Sequence, residues 1–187
     1  MPDGTALDIG SLQLPDAGPV FLAALAAHVL AASTAVVAGL LACTARKHQG
    51  RHPRAGTLYL WAIGVVSATA TVMAALRWHH NWHLFLIATL AFGCALLGRQ
   101  ARRRRPHRWL LWHGAAMALS YIALLTGFYV DNGPQLPLWD RLPPLTYWLL
   151  PAAVGIPLTW RSLRRNGAIR RQFSAQPHGQ PRPGPPG

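Results

Sequence analysis

The stretch RQARRRRPHR, residues 99–108, carries six arginines and separates two long runs of apolar residues. Two more basic groups lie beside apolar runs, at residues 46–54 and in the tail that follows residue 160. Basic residues next to an apolar helix are typical of the cytoplasmic side of a membrane protein. The positions of these three groups therefore indicate how the chain crosses a membrane.

Five apolar segments, three before and two after residues 99–108, contain no Asp, Glu, Lys or Arg. An α-helix needs roughly 20 residues to cross the ~30 Å hydrocarbon core of a bilayer. Helix is the expected structure because a spanning segment has to satisfy its backbone hydrogen bonds internally. The sequence predicts an all-α bundle of five transmembrane helices, at about residues 19–44, 57–76, 82–98, 109–130 and 145–160.

The charges in the loops alternate from one side of the predicted membrane to the other. Of the 18 lysines and arginines, only Arg77 and Arg141 lie in the second and fourth loops, and all the others lie in the first loop, the third loop and the C-terminal tail. Five spans predict this alternation under the positive-inside rule. We therefore expect a protein of the cell membrane with its N-terminus outside and its C-terminus in the cytoplasm.

The composition fits this arrangement. The chain has 187 residues, 51% hydrophobic and 12% charged, with a net charge of +13. A typical soluble domain is roughly a quarter charged. We expect an outer polar tail over residues 1–17, a transmembrane domain over 18–162 and a basic, Pro- and Gly-rich disordered cytoplasmic tail over 163–187.

Motifs of soluble enzymes are absent from the sequence, which has no P-loop, dinucleotide-binding fingerprint, HExxH or GxSxG pattern. Its five acidic residues are all aspartates predicted to lie outside, so a catalytic carboxylate pair is not expected. Membrane orientation, rather than nucleic-acid binding, explains residues 99–108. The sequence thus favours a non-enzymatic protein whose cytoplasmic basic rim attracts anionic lipid headgroups.

Three histidines lie in the stretch RWHHNWH, residues 77–83. If a helix starts near Arg77, His79 and His83 project from one face, a spacing that can ligate one metal ion. The candidates for a third ligand are His28, Asp16, Asp131 and Asp140. The alternative is a turn at the outer membrane surface, where tryptophan and histidine suit the headgroup zone.

Two further histidines lie inside the predicted spans. At ~1.5 Å per residue, His28 is ~14 Å below the outer edge of the first span, and His113 is ~6 Å from the cytoplasmic edge of the fourth. Polar residues at such depth usually face the bundle interior and often mark function. For His28, the alternative is a hydrogen bond to a hydroxyl of the fourth helix: Tyr121, Thr126 or Tyr129.

These side chains are candidate ligands for heme b or a transition metal. The outer set consists of His28, His79 and His83, and the inner set consists of His113, His52 and His107. Bis-histidine heme needs two side chains that reach one iron from facing helices. His28 and His113 differ in predicted depth by about 10 Å in a ~30 Å core, so the sequence does not place them at one level.

Two stretches, KHQGRHPRAGTLY at residues 47–59 and HRWLLWHG at residues 107–114, resemble motifs of a family of small bacterial multi-pass membrane proteins, domain of unknown function 2306. The family pattern His-x-x-x-Gly-x-x-Tyr is matched by His52, Gly56 and Tyr59. A His-Arg pair is matched by His107 and Arg108, and an intramembrane histidine of the first helix by His28. The resemblance covers roughly residues 20–162 and implies the same architecture, but it brings no established activity.

Three functions remain open from the sequence. One is an accessory or scaffold protein that binds lipid, a second copy of itself or a partner membrane protein. Another is a redox or metal-binding membrane protein with histidine ligands. The third is a carrier for a small solute or a proton, motivated by His28 and by Pro151 and Pro157, which are expected to kink the fifth helix.

Overall fold

The computed structural model describes residues 7–9, 12–14, 18–45, 50–137 and 141–167. Its five helices are α1 (Gly18–Thr44), α2 (Arg51–Leu76), α3 (Trp78–Arg104), α4 (Trp109–Asn132) and α5 (Pro144–Arg165). A short 3-10 helix, Gly133–Gln135, follows α4. Ahead of α1, the strands β1 (Leu7–Ile9) and β2 (Leu12–Leu14) pair antiparallel, with Asp8 opposite Gln13. The disordered tail was expected from residue 163, but α5 continues to Arg165, so that boundary was set too early. The rest of the prediction falls mainly on residues 168–187, which lie outside the described part of the chain.

Helices α1 to α4 are each long and apolar enough to cross a membrane, which supports the expected multi-pass character. Helix α5 is not among these four candidates. It contains Pro151 and Pro157, and its last turn carries Arg164 and Arg165, which lower the hydropathy of a helix of only 22 residues. Both prolines lie within one continuous helix.

The basic end of the bundle is the arginine-rich end at which α2 and α4 begin and α3 and α5 finish. At this end the helices extend beyond the predicted apolar segments. Helix α2 begins at Arg51 rather than near residue 57, and α3 continues to Arg104 rather than ending near residue 98. Hydropathy marks where a segment stops being apolar, whereas a helix continues while its backbone hydrogen bonds are satisfied. Arginines in the last turn of α3 also interact favourably with the negative end of the helix dipole.

The turn expected over residues 77–83 is confined to Arg77. This residue has φ −141° and ψ 63°, and α3 is helical from Trp78 onward. The backbone N–H of Arg77 still bonds to the carbonyl of Met73, and Asn81 Nδ2 donates to the same carbonyl at 3.3 Å. The three histidines of this stretch are therefore helical residues at the start of α3.

Each helix packs against the next one along the chain, and α1 also contacts α4. The first four helices therefore form the bundle, with α5 on the outer side of α4. The core consists mostly of small side chains around Tyr59 and Ile63, including Ala35, Ala91 and Ala95. Small residues let helix backbones approach closely where lipid gives no hydrophobic drive for helix association.

Glycines mark the closest helix contacts. The Tyr121 ring of α4 lies against Gly39 of α1, in the space that a Cβ atom would need. Three similar contacts join α4 and its 3-10 extension to α5: Gly133 with Tyr147, Ile122 with Gly155, and Gly114 with Leu163. These contacts run in opposite directions along the two helices, so α5 lies antiparallel to α4 from one end to the other.

The outer surface of the bundle is apolar. Large side chains such as Leu30 and Trp61 are 71% and 73% exposed, and similar residues occur on every helix. A soluble monomer rarely exposes contiguous apolar surface on this scale, whereas a bilayer provides a matching solvent. The surface is thus that of a membrane protein.

The short connection between α3 and α4 contains two residues in the left-handed backbone region. Arg105 has φ 47° and Arg108 has φ 62°. Arg105 ends α3, and Arg108 precedes the first turn of α4. The connection thus reverses the chain with arginine in positions where glycine is usual.

Candidate functional site

His52 of α2 and His113 of α4 lie side by side at the basic end of the bundle. Their ring centroids are 6.3 Å apart, and the ring planes meet at 81°. Both helices begin at this end and run in the same direction, so the histidines occupy matching positions near the two helix starts. This pair brings together two of the three side chains proposed from sequence as inner cofactor ligands, His52 and His113.

Each ring of the pair is held by a main-chain carbonyl of a neighbouring helix. His52 Nδ1 lies 2.8 Å from the carbonyl oxygen of Ala42 in α1, and His113 Nδ1 lies 2.8 Å from that of Gly98 in α3. A carbonyl oxygen only accepts, so Nδ1 carries the hydrogen, and the lone pair of each neutral ring is on Nε2. Metal-binding histidines are usually oriented by this kind of bond from the other ring nitrogen.

A second polar contact lies two helical turns above the pair, ~10 Å along the bundle. Tyr59 and Ser120 each follow one of the paired histidines by seven residues, so they occupy the same helix faces. The Ser120 hydroxyl donates to the Ala91 carbonyl at 2.7 Å, so the Tyr59 hydroxyl is the donor in its 2.7 Å bond to Ser120 Oγ. These bonds tie α2, α3 and α4 together and fix the relative register of α2 and α4.

The intramembrane histidine of α1 has a hydroxyl partner, but on a different helix from the one expected. His28 Nδ1 lies 2.9 Å from Thr69 Oγ1 of α2, and Tyr121, Thr126 and Tyr129 of α4 are not its partners. The Thr69 hydroxyl donates its hydrogen to the carbonyls of Val65 and Val66, so it accepts from His28 Nδ1–H. Both α2 and α4 lie beside α1, and apolar segments alone do not show which of them reaches His28, so the expectation named the wrong partner.

His28 and His113 belong to opposite halves of the bundle. His28 contacts Thr69 of α2, whereas His113 contacts His52 of the same helix. These two α2 positions are seventeen residues apart, or ~25 Å along a helix. No single heme iron or metal ion reaches both histidines.

His79 and His83 share the start of α3, as their spacing predicted. The His83 ring packs 5.9 Å from that of Trp82 and 6.2 Å from that of Trp148. Asp131 at the end of α4 is close enough to interact electrostatically with His28 and His83. Across the described ranges, however, no three or more His, Cys, Asp or Glu side chains are placed to hold one metal ion.

His107 is exposed in the turn before α4, and no contact in the described part of the chain joins it to His52 or His113. Sequence reasoning did not identify the Tyr59–Ser120 bond or the role of Thr69. The sequence does contain a signal for the first of these, because both histidines of the pair are followed by a hydroxyl residue after seven positions. That equal spacing indicates that the polar faces of α2 and α4 can pack together with both pairs of residues at matching heights.

No known family model, curated protein or solved structure matches the chain. The resemblance to the family of domain of unknown function 2306 remains a prediction. The functional interpretation therefore rests on the geometry of the histidine pair and on the membrane character of the bundle.

Proposed function

We propose that the chain is a five-span protein of the cell membrane. Helix α5 has 22 residues, a length of ~33 Å at ~1.5 Å per residue, enough for a ~30 Å hydrocarbon core. It lies along α4, which with its 3-10 extension is a candidate span. A helix that packs side by side with a spanning helix along its whole length lies at the same depth in the membrane. The contact of α5 with α4 therefore supports the fifth span.

The proposed orientation places the histidine pair near the cytoplasm. Most described arginines lie at the end of the bundle where α2 and α4 start and where α3 and α5 finish. At the opposite end the described basic residues are Arg77 and Arg141. The positive-inside rule assigns the arginine-rich end to the cytoplasm.

We further propose that the protein binds a transition-metal ion between His52 and His113. The supporting observation is the distance between the rings together with their carbonyl bonds. Two imidazoles that share one metal through Nε2, at metal–nitrogen distances of ~2.0 Å, hold their centroids roughly 5 to 6.5 Å apart. The observed 6.3 Å lies at the upper end of that range, where the two nitrogens bind on nearly opposite sides of the metal.

The ligand type narrows the class of metal. Imidazole nitrogen suits Zn, Cu, Fe and Ni, whereas Mg and Ca prefer oxygen ligands. Two protein ligands leave the remaining coordination positions to water or to an exchangeable molecule. The protein would thus hold a reactive or transferable ion at the cytoplasmic membrane surface, a function closest to the metal-binding alternative among the three left open by the sequence.

The test separates a metal ligand from a structural hydrogen bond. Asparagine reproduces the Nδ1 donor of histidine but has no equivalent of Nε2, so His52→Asn and His113→Asn retain the bonds to Ala42 and Gly98 while removing the ligands. Full-length protein, purified in detergent, is titrated with Zn²⁺, Co²⁺ and, under reducing conditions, Cu⁺. His80→Asn is the matched control because His80 is exposed on α3.

We expect one bound ion per chain in the wild type and in His80→Asn. Each pair variant should lose more than roughly 100-fold in affinity, because loss of a ligand costs more than loss of an outer hydrogen-bond partner. Absorption spectra recorded after expression with heme supplied show whether the pair takes heme instead. Equal metal affinity in all four proteins, or no metal and no heme in any of them, would refute the proposal and leave the accessory function as the better interpretation.

A further inference from the structure

The last turns of α5 form a groove of about 420 Å³ that lies outside the histidine pair. It is lined by Leu158, Arg161, Ser162, Arg165 and Asn166. The two arginines are four residues apart and share one helix ridge. Leu158, Ser162 and Asn166 are also spaced by four and form the adjacent ridge. The groove thus combines two guanidinium groups, a hydroxyl and an amide with one apolar side chain.

The position of this groove follows from the contact between α5 and α4. Leu163 packs against Gly114, next to His113, so the end of α5 lies beside the start of α4. The Arg164 guanidinium stacks 4.3 Å from the centre of the Trp160 ring, one turn toward the apolar part of the helix. Tryptophan beside arginine is typical of the headgroup level of a membrane. Given the membrane placement proposed above, the groove opens among cytoplasmic lipid headgroups.

The chemistry of the groove matches an anionic phospholipid. Guanidinium groups bind phosphate oxygens with paired hydrogen bonds, and α5 contains no acidic residue that would compete for them. Leu158 and Trp160, at 62% and 56% exposure, provide an apolar surface next to the charged groups. A free phosphate ion would not use this apolar surface, whereas the first methylene groups of an acyl chain would cover it.

We infer that this groove is a binding site for an anionic phospholipid, with Arg161 and Arg165 on the phosphate and Leu158 beside the acyl chain. The inference rests on the proposed cytoplasmic position of this end of the bundle. It differs from a general attraction of the basic rim for lipid, because it assigns binding to two arginines of α5 rather than to the many arginines of the same membrane face.

The test is native mass spectrometry of the full-length protein in detergent, titrated with phosphatidylglycerol and, separately, with phosphatidylcholine. We expect the double variant Arg161→Gln/Arg165→Gln to weaken phosphatidylglycerol binding by roughly tenfold or more and to leave phosphatidylcholine binding unchanged. The matched control, Arg102→Gln/Arg103→Gln, removes the same charge from exposed positions of α3 at the same end. It is expected to bind phosphatidylglycerol like the wild type.

Equal phosphatidylglycerol affinity in the α5 variant and the wild type would overturn the inference. An equal loss in the α3 control would also overturn it and indicate attraction by the whole basic rim. Displacement of phosphatidylglycerol by an equal concentration of inorganic phosphate would identify a soluble-anion site instead. Metal binding measured on the α5 variant separates the two proposals, since that variant keeps His52 and His113 and should bind metal like the wild type.

Discussion

Tyr59 and Ser120 make unequal contributions to their shared hydrogen bond. Tyr59→Phe leaves Ser120 with its bond to the Ala91 carbonyl, so it should cost only ~0.6 kcal/mol, an average for hydrogen bonds between membrane helices. Ser120→Ala leaves the Tyr59 hydroxyl without an acceptor at a side chain that is 1% exposed, which should cost roughly 1–3 kcal/mol. Reversible unfolding in detergent and SDS mixtures measures both free energies.

The double variant serves as the control for this pair. Once Tyr59 has lost its hydroxyl, the change Ser120→Ala no longer creates an unsatisfied donor. Tyr59→Phe/Ser120→Ala should therefore be less destabilised than the sum of the two single changes. A Tyr59→Phe variant that loses as much stability as Ser120→Ala would contradict the assigned direction of donation.

For single residues of the site, the sequence predicted the depth of each histidine in the bundle but not all of its hydrogen-bond partners. The sequence placed His28 deep in α1 and offered, as one alternative, a bond to a hydroxyl of α4, whereas the structure pairs His28 with Thr69 of α2. It grouped His52 with His113 because both lie at the basic end, and their rings are in contact. The sequence could not show the bonds to the carbonyls of Ala42 and Gly98, because every residue has a main-chain carbonyl and the residue type does not mark it as an acceptor. Whether a histidine reaches such a carbonyl depends on how closely the helices pack.

Among the helices, the contact of α1 with α4 depends on the missing side chain of Gly39. A Cβ atom there would overlap the Tyr121 ring, so Gly39→Ala should push the two helices apart and cost roughly 1–3 kcal/mol. Gly93→Ala is the matched control because no atom lies within 4 Å of its added Cβ. It should leave stability unchanged or raise it slightly, since alanine is the better helix former.

Thermal unfolding of the purified variants in one detergent measures this difference. The prediction is wrong if Gly39→Ala and Gly93→Ala unfold at the same temperature. A fall confined to Gly39→Ala would show that glycine is needed at the contact itself, rather than for flexibility of the helix.

The sequence predicted where the helices lie along the chain, but not which helices pack against each other. The five apolar runs correspond to five helices, and the one-residue break at Arg77 between α2 and α3 falls between the second and third predicted spans. The sequence underestimated the ends of α2 and α3, because arginines extend a helix beyond the apolar region without interrupting it. Pairings such as Gly39 with Tyr121 depend on the shapes of two distant segments, which hydropathy does not encode.

For the molecule as a whole, the five-span placement predicts which connections face each side of the membrane. Single cysteines at Pro106, Leu142 and Gly167 are introduced after Cys43 and Cys94 are replaced by alanine. A membrane-impermeant maleimide should label position 142 in intact cells and positions 106 and 167 only after permeabilisation. The reason is that α4 and α5 each reverse the side on which the chain emerges.

Position 167 distinguishes the five-span arrangement from a four-span one. If α5 did not cross the membrane, positions 142 and 167 would be labelled from the same side. Labelling of position 106 in intact cells would instead reverse the whole orientation and move the histidine pair and the α5 groove to the outer surface.

The left-handed residues between α3 and α4 bear on how this sequence can change. A non-glycine residue in that region costs roughly 1–2 kcal/mol, and Arg105 and Arg108 both occupy it. Exchange for glycine would relax the turn and, at the same time, remove two of the positive charges on which the proposed orientation depends. The backbone conformation therefore favours glycine at these two positions, whereas membrane orientation favours arginine, and the sequence has arginine at both.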